Sequence, residues 1–280
     1  MTENRIVTNT LLVSYRRYLE MEEKSTATVQ KYLHDVGAFF VFVGAESVTK
    51  ETAIAYKNHL MKQSYKPASI NSMLASLNSF FAFMGWVDCR VKLLRTQRKV
   101  YCPEERELTK MEYMRLLVVA QNRPKLHLIL QTICSTGIRI SELKHFTVDA
   151  VRTGEVTVQC KNKLRIILIP EKLKKKILNY VKENGIESGS VFVTRSGKPL
   201  DRSNIWKQMK SLCETAGVDS RKVFPHNLRK LFARAFYAAE RDIAKLADVL
   251  GHSNIDTTRI YIMTTGLEHR KQMEQLGFVI

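Results

Sequence analysis

The feature that most constrains the fold is a helical repeat of apolar residues that breaks down near residue 100. Up to about residue 95, apolar side chains recur at spacings of three and four, as they do on one face of a helix. From 96 to 106 this repeat gives way to closely spaced basic residues and a proline, Pro103. The pattern therefore predicts two domains, residues 1–95 and 107–280, joined by a basic linker at 96–106.

The first domain is expected to be a bundle of four helices. Each apolar stretch begins at a residue that commonly starts a helix: Thr8 or Asn9, Ser25, Thr49 and Pro67. We expect these helices to end near Lys24, Gly44, Gln63 and Met84. Four helices of this length can bury their apolar faces against one another and form a compact bundle.

The second domain is predicted to be mainly helical with a small β-sheet. Thr109 and Glu112 form a capping box that begins a helix to Ala120. Alternating residues predict a hairpin of strands 155–160 and 164–169 with lysines at its tip, and 191–193 is predicted to be a short strand. Further helices are expected at 124–135, 170–184, 201–216, 226–238, 243–250 and 255–263.

The charge of the chain indicates a polyanionic partner. The sequence has 45 Lys and Arg against 27 Asp and Glu, a formal net charge of +18 over 280 residues. The excess is present in both predicted domains, so it is not confined to a basic tail. A nucleic acid that contacts both domains explains this better than a protein that is merely cationic. We expect residues 1–95 to grip the backbone of a duplex.

Several other classes of protein are disfavoured. No apolar run approaches the roughly 18 residues of a membrane span, and the start of the chain does not resemble a signal peptide, so we expect a cytoplasmic protein with no membrane partner. The five cysteines form no Cys-x-x-Cys pair, and no acidic triad or histidine cluster has metal-ligand spacing. We therefore predict neither a metal nor another cofactor.

The chemically interesting residues lie between Pro225 and Ile262. His226 and Arg229 form a His-x-x-Arg pattern, His252 follows in Leu-Gly-His, and Tyr261 comes nine residues later. Two imidazoles, a guanidinium and a phenol could together bind a phosphodiester and attack it. Taken singly, each has an ordinary explanation, because a histidine is often structural and a tyrosine often belongs to the core.

Two earlier segments extend this set. Arg139 follows the predicted turn at Gly137 in Thr-Gly-Ile-Arg-Ile-Ser-Glu-Leu, where it could present two donors to an anion or pair with Glu142. The hairpin tip carries Lys161 and Lys163, either of which could be simply exposed.

In this order, the six residues Arg139, Lys161, His226, Arg229, His252 and Tyr261 resemble the tyrosine recombinase (phage integrase) family, in particular its Xer-like and transposon-encoded two-domain members. The resemblance covers the whole second domain, and the helical first domain is consistent with it. It implies a four-helix, SAM-like core-binding domain followed by a mixed α/β catalytic domain. Two departures stand out: position 230 is Lys where many relatives have His, and the hairpin turn is one residue short, with Cys160 where Gly is frequent.

The resemblance implies roles for these residues. Tyr261 would attack a scissile phosphodiester and form a 3′-phosphotyrosyl bond without ATP or metal. Arg139 and Arg229 would bind the non-bridging oxygens, His252 would hydrogen-bond the phosphate, and His226 would accept the tyrosine proton. Lys161 would protonate the leaving 5′-oxygen, with Lys163 as the alternative because of the short turn.

The resemblance also implies partners. The expected substrate is double-stranded DNA carrying recombination sites, bound by a homo-tetramer on two duplexes or by a hetero-tetramer with a related recombinase, with an accessory protein in some systems. The apolar tail, about 266–280, is our candidate for docking between protomers. Two alternatives stay open: a type IB topoisomerase with the same tyrosine chemistry, and a DNA-binding regulator without catalysis.

Overall fold

The computed structural model of the chain describes residues 5–95, 107–160, 163–194, 196–263 and 266–278. The chain divides into two compact units, residues 1–98 and 99–280. No helix within these ranges is both long enough and apolar enough to cross a membrane. The two units are described in turn.

The first unit contains the four predicted helices. They are α1 (Asn9–Met21), α2 (Thr26–Val43), α3 (Lys50–Lys62) and α4 (Pro67–Phe83). Two of the helices begin where predicted because a side chain caps their first turn. The Ser25 side chain accepts from the backbone N–H of Thr28, and the Thr49 side chain accepts from the backbone N–H of Thr52. The core between the helices is rich in aromatic side chains, among them Tyr15, Phe39, Phe80, Phe81 and Trp86.

The segment that follows α4 is held in place by two asparagine side chains. Asn78 donates to the carbonyl of Val91 at 2.8 Å and accepts from its N–H at 2.9 Å. Asn71 makes the same pair of bonds to Leu94, at 2.9 and 2.7 Å. These bonds satisfy an extended backbone that belongs to neither a helix nor a sheet. The backbone of Val91 and Leu94 is therefore attached to α4.

The second unit has ten helices among its described residues and one hairpin. The longer helices surround a large apolar core, in which α6 packs against α11. The helices are α5 (Lys110–Val119), α6 (Pro124–Thr136), α7 (Val148–Thr153), α8 (Glu171–Glu183), α9 (Arg202–Lys210), α10 (Cys213–Ala216), α11 (Pro225–Glu240), α12 (Ile243–Leu250), α13 (Ile255–Ile262) and α14 (Gly266–Glu274). The predicted capping box of Thr109 and Glu112 is present.

The hairpin consists of β1 (Glu155–Cys160) and β2 (Lys163–Leu168), paired antiparallel with Val158 opposite Arg165 and Cys160 opposite Lys163. Side chains alternate between the two faces of the pair. Val158 and Ile167 are buried on the inner face, and Arg165 lies on that face with them. Leu164, Ile166 and Leu168 are exposed on the outer face. A charged residue usually lies on the outer face of a strand and apolar residues on the inner face, so Arg165 and these three residues have the opposite arrangement.

Three secondary-structure predictions for the second unit differ from the structure. Residues 191–193 form no strand, because Val193 and the preceding Ser190 make only isolated bridges, while Val191 and Phe192 are buried in the core. The helix predicted from 201 to 216 is two helices, α9 and α10. Helices α7 and α14 were not predicted, since α7 has only six residues and α14 has few apolar residues and no clear apolar repeat.

Candidate active site

Arg229 lies at the centre of the site, where α11 crosses the ends of two other helices. Its guanidinium donates from Nη1 to the carbonyl of Gly137, just after α6, and from Nη2 to the carbonyl of Leu250 at 2.7 Å, the last residue of α12. Only 1% of the residue is exposed. The buried Nε has no hydrogen-bond partner among the described residues. The guanidinium is thus fixed in place by backbone carbonyls, and its Nε–H remains unpaired within the described part of the chain.

Gly137 allows this close approach. It ends α6 in the left-handed conformation with φ +62°. A Cβ at this position would collide with the ring of Phe232, lying 2.6 Å from its Cε1. The glycine therefore lets the backbone turn tightly against α11 and present its carbonyl to Arg229.

Arg139 is aimed by the carboxylate of Glu142. The Arg139 side chain donates from Nη1 to Oε1 of Glu142 at 3.0 Å, and the Arg139 backbone N–H donates to Oε2 at 2.8 Å. Glu142 is buried, whereas the Arg139 side chain remains 38% exposed. The pairing that the sequence offered as an alternative is therefore present, and it leaves part of the guanidinium open to solvent.

The contacts of His252 define its tautomer. Its Nε2 lies 3.0 Å from Nη2 of Arg229, and its Nδ1 lies 2.9 Å from the hydroxyl of Thr258. A guanidinium can only donate, so Nε2 must be the acceptor and Nδ1 carries the proton. Burial and the nearby Arg229, Arg139 and Arg165 lower the pKa of His252 to about 4. At neutral pH the ring is therefore uncharged.

Tyr261, on α13, lies between the two histidines. Its hydroxyl is 3.3 Å from Nδ1 of His226, and its ring centre lies 4.8 Å from that of His226 and 4.9 Å from that of His252. The Arg229 guanidinium carbon is 5.7 Å from the centre of the tyrosine ring. Only 7% of Tyr261 is exposed. The Tyr261 hydroxyl is therefore hydrogen-bonded to a histidine that lies at the protein surface.

The electrostatics of the site favour an anion. Partial burial, followed by Lys230, Arg229 and Arg139, lowers the pKa of His226 to about 4. Burial and the charge of Arg139 likewise lower the pKa of Arg229 to about 10. Burial is the largest cause of these shifts, and repulsion between the neighbouring cations adds to it. A bound anion would relieve this repulsion.

A cleft of about 380 Å³ opens beside these groups. Arg139, His226 and Arg229 contribute to its wall, whereas Tyr261 does not line it and reaches it through His226. The remaining lining residues are Ile138, Ile140, Ser141, Arg202, Trp206, Phe224 and Pro225.

Five of the six predicted site residues are therefore gathered around one cleft. The sixth, Lys161, lies outside the described residues, and of Lys163 the structure describes only its backbone at the start of β2. Sequence reasoning did not identify Glu142 as an orienting group, nor Arg165 and Thr258 as partners of the site. A charged residue alternating into the buried face of β2 was the available signal for Arg165. In the described part of the chain, no three histidine, cysteine or acidic side chains are arranged to hold a metal ion.

Both units of the chain are similar to known proteins. The model of the phage integrase family matches residues 106–266, and the model of the phage integrase N-terminal SAM-like domain matches residues 12–86. The tyrosine recombinase XerA of Thermococcus kodakarensis is 32% identical over 181 residues, which are 62% of this chain and 63% of that protein. XerD of Halalkalibacterium halodurans is 32% identical over 147 residues, 49% of this chain and 48% of the relative. The chain thus matches about half to just under two thirds of the length of these relatives.

Solved structures share the fold. The crystal structure of XerA recombinase covers 96% of this chain and 98% of its own, with 25% identity and a TM-score of 0.55. A lambda integrase dimer bound to a COC′ core site covers 92% and 96%, with a TM-score of 0.73 at 17% identity. The predicted fold class, a helical SAM-like domain followed by a mixed α/β catalytic domain, is confirmed. Because one family model spans more than half of its 280 residues and a second matches the helical unit, the chain belongs to the phage integrase family of tyrosine recombinases.

Proposed function

We propose that this protein is a site-specific DNA recombinase that cleaves and rejoins strands through a covalent bond between DNA and Tyr261. The observation that carries the proposal is the state of Arg229. This guanidinium is buried, has an unused Nε, and has no carboxylate at ion-pair distance among the described residues. It lies against His252 and the Tyr261 ring. A phosphodiester bound to Arg229 would supply the negative charge that this guanidinium lacks and would bring its phosphorus close to the phenol of Tyr261.

The proposed cleavage step exchanges one phosphodiester bond for another. The Tyr261 oxygen bonds to phosphorus while the bond from phosphorus to the 5′-oxygen breaks, giving a 3′-phosphotyrosyl link and a free 5′-hydroxyl. The bond energy is retained in the link, so rejoining needs no ATP. His226, uncharged at neutral pH and hydrogen-bonded to the phenol, accepts its proton. Lys161 donates the proton that the leaving oxygen requires, with Lys163 as the alternative.

Arg139 and Arg229 are proposed to bind the non-bridging oxygens of the phosphate. Negative charge grows on these oxygens in the transition state, and donors that are already positioned stabilise it without reorganisation. Glu142 fixes Arg139, and two backbone carbonyls fix Arg229, so both are pre-positioned. His252 would donate a hydrogen bond to the same phosphate, with its proton moved from Nδ1 to Nε2. Because Tyr261 is mostly buried before DNA binds, we propose that α13 shifts on binding to let the phenol reach phosphorus.

The proposed partners are double-stranded recombination sites and further copies of the protein. Solved relatives include a lambda integrase tetramer bound to a Holliday junction and XerH bound to its difH substrate. By extension, we propose four protomers on two duplexes, or two pairs if a related recombinase takes part, with an accessory protein where the system requires one. Residues 1–95 would grip the duplex, 96–106 would link the units, 107–280 would carry catalysis, and the tail from about 266 would dock onto a neighbour.

The test is covalent trapping on a binding site selected by the protein itself. The Tyr261→Phe variant is used to select duplexes from a random library, and a nick is then moved stepwise along the selected site. A nick beside the cleavage point releases a short fragment, so the protein remains attached to DNA under denaturing conditions. We expect this adduct with the wild type and none with Tyr261→Phe.

The same assay separates the alternatives. A recombinase joins strands from two differently labelled duplexes, whereas a topoisomerase reseals only the strand it cut. A regulator binds the selected site and forms no adduct at any nick position.

The mechanism also predicts that no metal ion is needed. Arginine and lysine side chains stabilise the charge that a metal ion would otherwise stabilise, so we expect adduct formation in the presence of a chelator. An absolute requirement for Mg²⁺ would contradict the mechanism.

A further inference from the structure

Arg165 is a cation that the proposed mechanism leaves without a role. It lies on the inner face of β2, opposite Val158, and its side chain is only 11% exposed. The inner face of the hairpin would ordinarily carry an apolar residue at this position. Burying the charge of an arginine costs free energy unless its N–H groups are hydrogen-bonded to specific acceptors. The partners of Arg165 therefore indicate why it is there.

The Arg165 guanidinium contacts two groups, one at each of its terminal nitrogens. One of these groups also positions Arg139, and the other also positions Arg229. Nη2 of Arg165 donates to Oε2 of Glu142 at 3.0 Å, the carboxylate whose other oxygen binds Arg139. Its Nη1 donates to the carbonyl of Leu250, which also accepts from Arg229 at 2.7 Å. Arg165 thus shares one partner with Arg139 and another with Arg229.

Gly251 makes room for this connection. It ends α12 with φ +64°, immediately before His252. A Cβ at Gly251 would overlap Cδ of Arg165 and lie 3.0 Å from its Nη1. The glycine of the Leu-Gly-His segment therefore meets two needs, a left-handed backbone and a passage for the side chain of Arg165.

From these contacts we infer that Arg165 is a positioning residue for strand cleavage, one that ties the lysine-bearing hairpin to both phosphate-binding arginines. This inference rests on the proposed function. Arg165 makes two directed bonds from one rigid plane, to Glu142 and to Leu250, and thereby fixes the spacing of three segments that are distant in sequence. It acts through Arg139, Arg229 and His252 and does not itself need to touch DNA.

The alternative is that Arg165 merely stabilises the fold, and a matched control addresses it. Arg234, on α11, is also partly buried, pairs with the carboxylate of Glu107 and donates to the carbonyl of Leu108 at 2.9 Å. It does not line the cleft. Arg165→Met and Arg234→Met therefore remove the same kinds of interaction, one beside the site and one away from it.

The experiment measures binding and cleavage separately on the nicked duplex described above. With protein in excess, we expect Arg165→Met to bind the duplex within threefold of the wild type but to form the adduct about 100-fold more slowly, the scale expected when reacting groups are displaced by about 1 Å. Arg165→Lys keeps the charge but not the planar fork, so we expect it to recover the rate only in part. Arg234→Met should cleave at the wild-type rate once folded.

A double-mutant cycle provides a second readout that does not depend on the stability of one variant. Gly251→Ala should displace Arg165 without removing it, and therefore slow cleavage. In an Arg165→Ala background the same glycine change should cost much less, because alanine lacks the Cδ that a Cβ at position 251 would overlap.

The outcomes are distinct. Adduct formation by Arg165→Met within threefold of the wild-type rate, a loss of rate shared equally by Arg234→Met, or strictly additive effects of the two changes in the cycle would each overturn the inference. In all three cases the wild type still forms its adduct, so the proposed function stands. Absence of an adduct with the wild type at every nick position would instead overturn the proposed function, and the inference with it.

Discussion

At the scale of single residues, the candidate site combines two arginines that differ in how they are held. Arg139 is paired with Glu142 and partly open to solvent, whereas Arg229 is buried and bonded to backbone carbonyls. Two uncharged histidines complete the set. The arrangement suits a charged substrate, because each guanidinium is fixed before the substrate arrives and retains donors for it.

Replacing the planar guanidinium of Arg229 by the single ammonium group of a lysine should impair cleavage more than DNA binding. In Arg229→Lys, one ammonium cannot reach Gly137, Leu250 and a phosphate together, so we expect adduct formation to fall by about 10²–10³-fold, the usual loss for one oxyanion donor. Single-turnover trapping measures this rate, and duplex binding serves as the control. A variant that loses binding and rate in equal proportion would contradict a role specific to the transition state.

The histidines should make the free protein acid-sensitive. Their pKa values are lowered from 6.5 to about 4 in the folded protein, so the unfolded chain binds protons more readily between these pH values. Stability from this source is therefore complete above about pH 6.5 and is lost as the pH falls toward 4. Thermal unfolding between pH 7 and pH 4 should show this decline, and His252→Asn should reduce its slope. An unchanged slope in that variant would show that other groups cause the acid sensitivity.

At the scale of elements, the ends of helices build the site. The end of α6 supplies the carbonyl of Gly137, and the end of α12 supplies the carbonyl of Leu250 and then His252. Both helices end in a glycine with positive φ. Since a left-handed residue closes a helix by turning the chain back sharply, it brings the following residues close to the helix axis. Short-range helix geometry thus decides where the side chains of the candidate site point.

Gly137→Ala should destabilise the second unit more than a comparable change elsewhere. Gly217 ends α10 with φ +59° and has open space around it, whereas Gly137 has φ +62° and faces the Phe232 ring. Both changes carry the left-handed penalty of about 1–2 kcal/mol, and only Gly137→Ala adds an overpacking cost of about 1–3 kcal/mol. Denaturant unfolding of the two variants isolates the second contribution. Equal losses of stability would mean that the Phe232 ring moves aside freely.

At the scale of the whole molecule, two compact units and a strong positive charge fit a protein that binds a long polyanion. Among the described residues, the second unit alone carries the candidate chemistry, because all five described site residues belong to it. Several apolar side chains after α13 are exposed, with Leu267, Leu276 and Phe278 all turned to solvent. They fit a tail that is covered only when protomers assemble.

Removing residues 273–280 should therefore weaken assembly without weakening single-site binding. We expect cooperative binding of two sites and formation of the two-duplex complex to fall, since buried apolar area drives such contacts. A band-shift titration with one-site and two-site duplexes separates these effects. Val41→Ser in the first unit removes a side chain as exposed as Phe278, 86% against 87%, and serves as the control. Unaltered two-site assembly after the deletion would exclude a docking role for the tail.

The sequence by itself determined the helices of the first unit, the capping box at Thr109, and the order of the residues that became the site. These features depend on bonds between residues a few positions apart, and such bonds are written into local sequence. Only the tertiary structure decided that Arg165 faces inward while Leu164 faces out, and that Glu142 and Leu250 become its partners. The bond from Arg165 to Leu250 spans 85 residues. No local pattern specifies such a contact, because it exists only once the hairpin, the end of α12 and the segment that carries Glu142 have packed around the guanidinium of Arg165.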